Sequence, residues 1–200
     1  MNILITGANG QLGNEMRILS ARHAQHTYFF TDVEELDITS REAVNRFVKD
    51  NAIDIIVNCA AYTNVDKAES DEVLAHKINA LAVENLGISG ARVIHVSTDY
   101  VFSGDACVPY EETDKVAPRT AYGRTKLAGE ELLQVVCPEA IIIRTAWLYS
   151  TFGNNFVKTM LRLGQEREAL GVVFDQIGSP TYAADLAMAI FAAIESPEWH

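Results

Sequence analysis

The chain has 200 residues, of which 48% are hydrophobic and 22% charged, and its formal net charge is −11. That balance suits one α/β domain with its own core and excludes a disordered chain. No run of Lys and Arg exists to neutralise the phosphates of a nucleic-acid duplex, no apolar run approaches a membrane span of about 20 residues, and MNILITG has no basic leader, so a cytoplasmic protein is expected. A compact basic pocket for one phosphorylated ligand remains compatible with this charge.

Short apolar runs alternate with amphipathic ones. Strands are predicted at Ile3–Thr6, Tyr28–Thr31, Ile53–Asn58, Val93–Ser97, Ala140–Arg144 and Val172–Phe174. Helices are predicted at Leu12–Ala21, Arg41–Lys49, Leu74–Leu86, Tyr122–Val135, Phe156–Glu166 and Ala184–Ile194. The second helix carries a capping-box pattern, Thr39 with Glu42. Strand–helix alternation with apolar strands implies a doubly wound parallel sheet, a Rossmann fold. Two long loops, 60–70 and 99–120, follow strand C-termini, where such sheets bind ligands. The second is expected to be an ordered irregular loop or lid. Cys59, Cys107 and Cys137 are odd in number and widely spaced, and are expected as reduced thiols.

Gly7-Ala8-Asn9-Gly10-Gln11-Leu12-Gly13 joins the first strand to the first helix. Gly7 permits the sharp strand exit, Gly10 lets backbone approach a pyrophosphate, and Gly13 lets the helix pack closely. The helix N-terminus offers free N–H groups and partial positive charge. Asp32 ends the second strand, 19 positions after Gly13, where a carboxylate binds ribose hydroxyls and disfavours a 2′-phosphate. With no Arg beside it, this residue leans toward NADH, or else it caps a turn. Asp37 falls where an adenine contact is plausible. Small residues at Asn58-Cys59-Ala60-Ala61-Tyr62 would let the ribose and diphosphate lie close to the backbone.

Tyr122 and Lys126 form YxxxK at a helix start, so phenol and ammonium share one face. A free phenol has a pKa of about 10, and a neighbouring ammonium favours the phenolate. In the reducing direction the phenol serves as proton donor. The polar strand end Ser97-Thr98-Asp99 precedes it, and a hydroxyl there can bond both a substrate carbonyl and the tyrosine. Trp147 offers a flat face with one N–H for a sugar or base, or is a core residue. Asn154 and Asn155 either donate to a diphosphate or cap the next helix.

The ordered blocks GxxGxxG, NCAAYTNVDKAE, STDYVFSG, YGRTKLAGE, RTAWLYS, GNNFVKTML and DQIGSPTYA cover nearly the whole chain. In them it resembles the dTDP-4-dehydrorhamnose reductase family of the extended short-chain dehydrogenases. The resemblance implies reduction of the C4 ketone of dTDP-4-dehydro-L-rhamnose by NADPH or NADH, the last step of rhamnose donor synthesis. It implies Thr98, Tyr122 and Lys126 as the catalytic trio. It implies Gly10, Gln11, Leu12, Gly13, Asp37, Ile38, Ala60, Ala61, Tyr62 and Val96 at the cofactor, and Thr98, Asp99 and Trp147 at the substrate. Residues 1–200 would be the NAD(P)-binding domain, with 146–200 contributing to the substrate side of a monomer or homodimer.

Three departures from the family accompany this. The chain stops at His200, where relatives continue into a segment covering the sugar nucleotide, so a truncation is expected. The passage Asn85–Gly90 is short, and Gly87 and Gly90 would end the helix early. Some relatives dimerise through a metal held by acidic side chains; Glu15 matches one position but Ala184 stands where another acid is wanted, so no metal is expected. The alternatives are a sugar-nucleotide dehydratase or epimerase, and a non-catalytic NADP-binding regulatory subunit.

Overall fold

The computed structural model describes residues 1–106 and 108–199; Cys107 and His200 lie outside them. Five parallel strands form the central sheet: β1 (Asn2–Thr6), β2 (Thr27–Thr31), β3 (Ile55–Asn58), β4 (Arg92–Thr98) and β5 (Ile141–Thr145), in the order β2-β1-β3-β4-β5. The order reverses between β1 and β3, with Thr6 opposite Asn58 at the carboxyl ends. That reversal opens a crevice between the two loops leaving these strands. Val57, Ile56 and Ile55 of β3 are fully buried because helices cover both faces.

One face packs against α1 (Gln11–Ser20) and α8 (Ala183–Glu195), through Leu12, Met16, Ile190 and Phe191. The other packs against α2 (Arg41–Asp50), a segmented helix, and α6 (Ala121–Val136), through Val44, Val83, Leu86 and Leu133. The segmented helix was expected as one run, Leu74–Leu86. It begins as α4 (Glu72–His76), widens to a π turn over Lys77–Leu81, and ends as α5 (Ala82–Gly87). Within this π turn the Asn79 side chain binds outside the helix: its amide oxygen accepts from the Tyr62 N–H at 2.8 Å, and its nitrogen donates to the Tyr62 carbonyl and the Thr125 hydroxyl.

Several expectations are corrected. The residue capping α2 is Ser40, which accepts from the Ala43 N–H at 3.3 Å; the Thr39 hydroxyl instead donates to Asp37. The loop after β3 contains a short helix, α3 (Val65–Ala68), capped by Asn64. Val172–Phe174 is not a strand, and Phe174 is 94% exposed. The extra pairing lies instead between β6 (Leu148–Tyr149) and β7 (Thr181–Tyr182), and α7 (Phe156–Glu166) lies between these two strands in sequence. Gly87 does end its helix: a Cβ there would stand 2.6 Å from Val136 Cγ2, so α6 packs too close for a side chain. Cys59 and Cys137 are free thiols. Among the described residues no helix is long and apolar enough to cross a membrane.

Candidate active site

A cleft of about 960 Å³ runs along the carboxyl ends of the strands. The glycine turn forms one wall. Gly7 has φ +62, and a Cβ on it would meet Ala60 Cα at 2.7 Å. The residue must therefore be glycine both for its dihedral and for the close approach of the β1 and β3 loops. Gly13 serves close packing, since its Cβ would stand 2.5 Å from the Gly7 carbonyl. It is not part of the cleft lining, whereas Gly7, Gly10, Gln11 and Leu12 are. Gly10 stands at the N-cap of α1 with no side-chain cap, so the first-turn N–H groups stay free for an anion.

The described residues fit a dinucleotide on a second count. Buried hydroxyls of Thr31, Ser97 and Thr145, all at strand ends on the cleft, have no hydrogen-bond partner. Buried polar groups of this kind ordinarily have one. Asp32, Asp37, Ile38, Ala60, Ala61 and Val96 also line the cleft. The Asp32 carboxylate accepts from the Asn9 and Val33 N–H groups at 3.0 and 2.9 Å, so it caps the turn while edging the cleft. Asp37 accepts from the Thr39 N–H and hydroxyl, and these bonds hold its carboxyl below the usual carboxylate range. Tyr62 is the exception. It packs with Ala68, Ala75, Ala121 and Tyr122 and is not among the residues lining the cleft, and Asn79 clamps its backbone from both sides.

Thr98, Asp99, Tyr122 and Lys126 meet on the same cleft. Thr98 ends β4; its hydroxyl donates to Asp99 at 3.1 Å and accepts from the Tyr100 N–H. Burial pushes the Asp99 carboxyl up, against the hydrogen bond from Thr98. Thr120 caps α6 and fixes where Tyr122 and Lys126 project. The Tyr122 ring packs edge-on against Tyr100, centroids 5.5 Å apart. Burial pushes the Tyr122 phenol up to about 12; the Thr98 hydroxyl opposes this, while Asp99 and Tyr100 add to it. The expected ammonium-induced shift toward phenolate is therefore absent, and the group is a phenol at neutral pH. Lys126 is 1% exposed, and burial pushes its amine down to about 8, against the pull of Glu130. Its Nζ does not reach for the phenol. It donates to the Val96 carbonyl at 2.8 Å and stands 3.2 Å from His95 Nε2.

His95 and Asn58 are the polar groups that sequence reasoning passed over. Both are fully buried, and their side chains meet at 2.9 Å. An imidazole inside an otherwise apolar strand was the signal. Lower along the cleft, Trp147 has φ +49 and is 37% exposed, so it is not a core residue. Its ring packs edge-on against Phe156, and a Cβ on Gly178 would sit 2.5 Å from its Nε1. Asn154 lines the cleft; Asn155 caps α7 and donates to Gln11 Oε1 at 2.9 Å, tying this segment to the glycine turn. Glu15 accepts from the buried Ser150 hydroxyl at 2.6 Å. Among the described residues no group of three or more His, Cys, Asp or Glu could hold a metal ion.

The family described as RmlD substrate binding domain matches residues 1–200. A dTDP-4-dehydrorhamnose reductase of Aggregatibacter actinomycetemcomitans is 43% identical over 197 residues, covering 96% of this chain and 67% of the relative. The crystal structure of a dTDP-4-dehydrorhamnose reductase from Clostridium acetobutylicum superposes with a TM-score of 0.93 at 47% identity, over 98% of this chain and 70% of that one. A dTDP-4-dehydrorhamnose reductase from Bacillus anthracis, solved in complex with NADP, gives 0.94 at 43% identity, over 100% of this chain and 72% of that one. The chain thus spans about two thirds of the length of the curated relatives it matches.

Proposed function

The chain belongs to the dTDP-4-dehydrorhamnose reductase family, and on that premise we propose that it carries the NAD(P)H-dependent reduction of the C4 ketone of dTDP-4-dehydro-L-rhamnose to dTDP-L-rhamnose in the cytoplasm. One observation supports the reading above the rest. The strand-end hydroxyl, the buried phenol and the buried lysine share a single cleft with the glycine turn.

Bound nicotinamide supplies the hydride that the ketone carbon accepts. Gly7, Gly10, Gln11 and Leu12 would cradle the diphosphate of NADPH or NADH at the free first-turn N–H groups of α1, the Gly10 N–H itself being donated to the Gly7 carbonyl at 3.0 Å, and Asp32, Asp37, Ile38, Ala60, Ala61 and Val96 would flank its adenosine and ribose ends. Tyr122 is the acid. A phenol whose proton is held up to about 12 stays protonated through neutral pH, so it can pass that proton to the carbonyl oxygen as the alcohol forms. Thr98 orients the carbonyl beside Tyr122 by turning its single hydroxyl proton, which Asp99 accepts in this structure, to the carbonyl oxygen. Residues 146–200 contribute the substrate side: Trp147 offers an apolar face to the sugar nucleotide, and Asn154 a carboxamide to its phosphates.

The test is to mix the protein with dTDP-4-dehydro-L-rhamnose and either NADH or NADPH and to follow nicotinamide absorbance. Oxidation of at least one is expected, and oxidation of neither overturns the assignment. Tyr122→Phe should lose on the order of 10²–10⁴-fold in turnover while its affinity for the oxidised cofactor is unchanged. Wild-type turnover in that variant removes Tyr122 from the role of acid.

A further inference from the structure

Gln11 faces two ways. Its backbone opens α1 beside the glycine turn, while its side chain reaches the segment that runs from β6 to α7. Backbone groups set the direction of every hydrogen bond along that reach. The Lys158 N–H can only donate, and it meets Asn155 Oδ1 at 3.0 Å. The Asn155 nitrogen therefore points back, to the Ser150 carbonyl at 2.8 Å and to Gln11 at 2.9 Å. Gln11 must present its oxygen there, which turns its own nitrogen to the Leu148 carbonyl at 3.3 Å. A carboxylate at this position would meet the Leu148 carbonyl as a second acceptor, and an alkyl chain would bond neither partner. One turn further along α1, Glu15 accepts from the Ser150 hydroxyl at 2.6 Å, with both side chains buried. Gly153 completes the fit: its φ is +60, and a Cβ on it would stand 2.9 Å from Gln11 Cγ.

What this grip holds in place is Trp147. The backbone there has φ +49, a conformation that a bulky residue rarely adopts and that persists only where its surroundings fix it. Leu148, whose carbonyl Gln11 holds, is the next residue in the chain. Phe156, against which the Trp147 ring packs edge-on with centroids 5.2 Å apart, directly follows Asn155. The bonds to Gln11 thus secure both the backbone beside the indole and the ring it leans on. We propose that the Gln11 side chain is a positioning group for the substrate side of the cleft: it bolts residues 148–155 to α1 and so keeps Trp147 turned to receive the sugar nucleotide. The first turn of α1 then serves two ligands, its backbone the cofactor diphosphate and its side chain the substrate wall. The role toward a sugar nucleotide rests on the reductase reading; the bolt does not.

Acrylamide quenching of Trp147 fluorescence tests the bolt without substrate or turnover, in a Trp199→Phe background that leaves Trp147 as the single tryptophan. Asn155→Ser keeps an acceptor to cap α7 but cannot reach Gln11. It should raise the quenching constant above that of the parent and weaken binding of dTDP by roughly fivefold, the worth of about one neutral hydrogen bond, with affinity for NADPH unchanged. Gln11→Met, similar in length but without polar atoms, should raise quenching in the same way. Both substitutions cut one chain of bonds, so the double variant should bind dTDP no worse than the weaker-binding single variant. Parental quenching in the folded single variants overturns the proposal. Losses that add in the double variant, or raised quenching with parental affinity for dTDP, overturn the positioning role. If the parent binds no dTDP, the reductase reading falls and quenching alone decides the bolt. If one single variant fails to fold, the other decides.

Discussion

Lys126 sits at an energetic cost to the fold. Its folded pKa of about 8 lies below the ordinary 10.5. The unfolded chain therefore binds the lysine proton more readily than the folded one, which penalises the fold at any pH below about 8. The penalty is relieved as pH rises from about 8 toward 10.5, because the unfolded lysine then loses its proton too. Across that window the wild type should gain roughly 3 kcal/mol over Lys126→Met, which has no such proton to lose. Urea unfolding of both proteins at several pH values measures this, and a pH-independent difference would show that the folded lysine titrates normally. Other residue-scale features divide in an instructive way. The glycine turn and the Tyr122–Lys126 pair were legible from spacing, since a strand, three glycines and a helical i,i+4 pair dictate geometry, whereas Thr98 was singled out within its polar strand end by the family resemblance. The upward shift of the Tyr122 phenol was not legible, because it depends on burial and on Lys126 turning toward Val96 and His95. The clamp on the Tyr62 backbone was not legible either, because its partner, Asn79, lies 17 positions away.

At the scale of elements, glycines within helices separate local preference from tertiary fit. Gly129 lies inside α6, where alanine ordinarily gains up to about 1 kcal/mol. Here a Cβ would stand 2.1 Å from the Asn79 carbonyl, in the π turn that packs against it. Gly129→Ala should therefore destabilise by about 2 kcal/mol or more, since neither helix backbone can retreat without disturbing the bonds of Asn79. Gly164 lies in exposed α7 with nothing within 4 Å of a Cβ, so Gly164→Ala should stabilise by about 0.5–1 kcal/mol. Equilibrium denaturation of the two variants should give opposite signs, and equal signs would refute the packing argument. The same contrast explains what the sequence revealed of the elements. The five sheet strands and the long helices follow from periodicity. Val172–Phe174 has a strand's composition yet lies exposed, and the two-residue strands β6 and β7 are too short to carry a period.

For the whole molecule, the field opposes the ligand that the cleft is proposed to hold. The chain carries −11, and among the described residues lining the cleft Lys126 is the one basic side chain, against Asp32, Asp37 and Asp99. Attraction for a diphosphate thus comes from the N-terminus of α1, whose influence fades within its first turn. At longer range an anionic cofactor approaches an anionic protein, and their repulsion slows the encounter. Salt shortens that range from about 30 Å at 0.01 M to about 8 Å at 0.15 M. The association rate of NADPH should consequently rise with added salt over this interval, the reverse of an electrostatically steered reaction. NADH lacks the 2′-phosphate, so it should respond less. Stopped-flow nicotinamide fluorescence distinguishes the cases, and a rate for NADPH that falls with salt would show that the local positive end of α1 outweighs the charge of the whole chain.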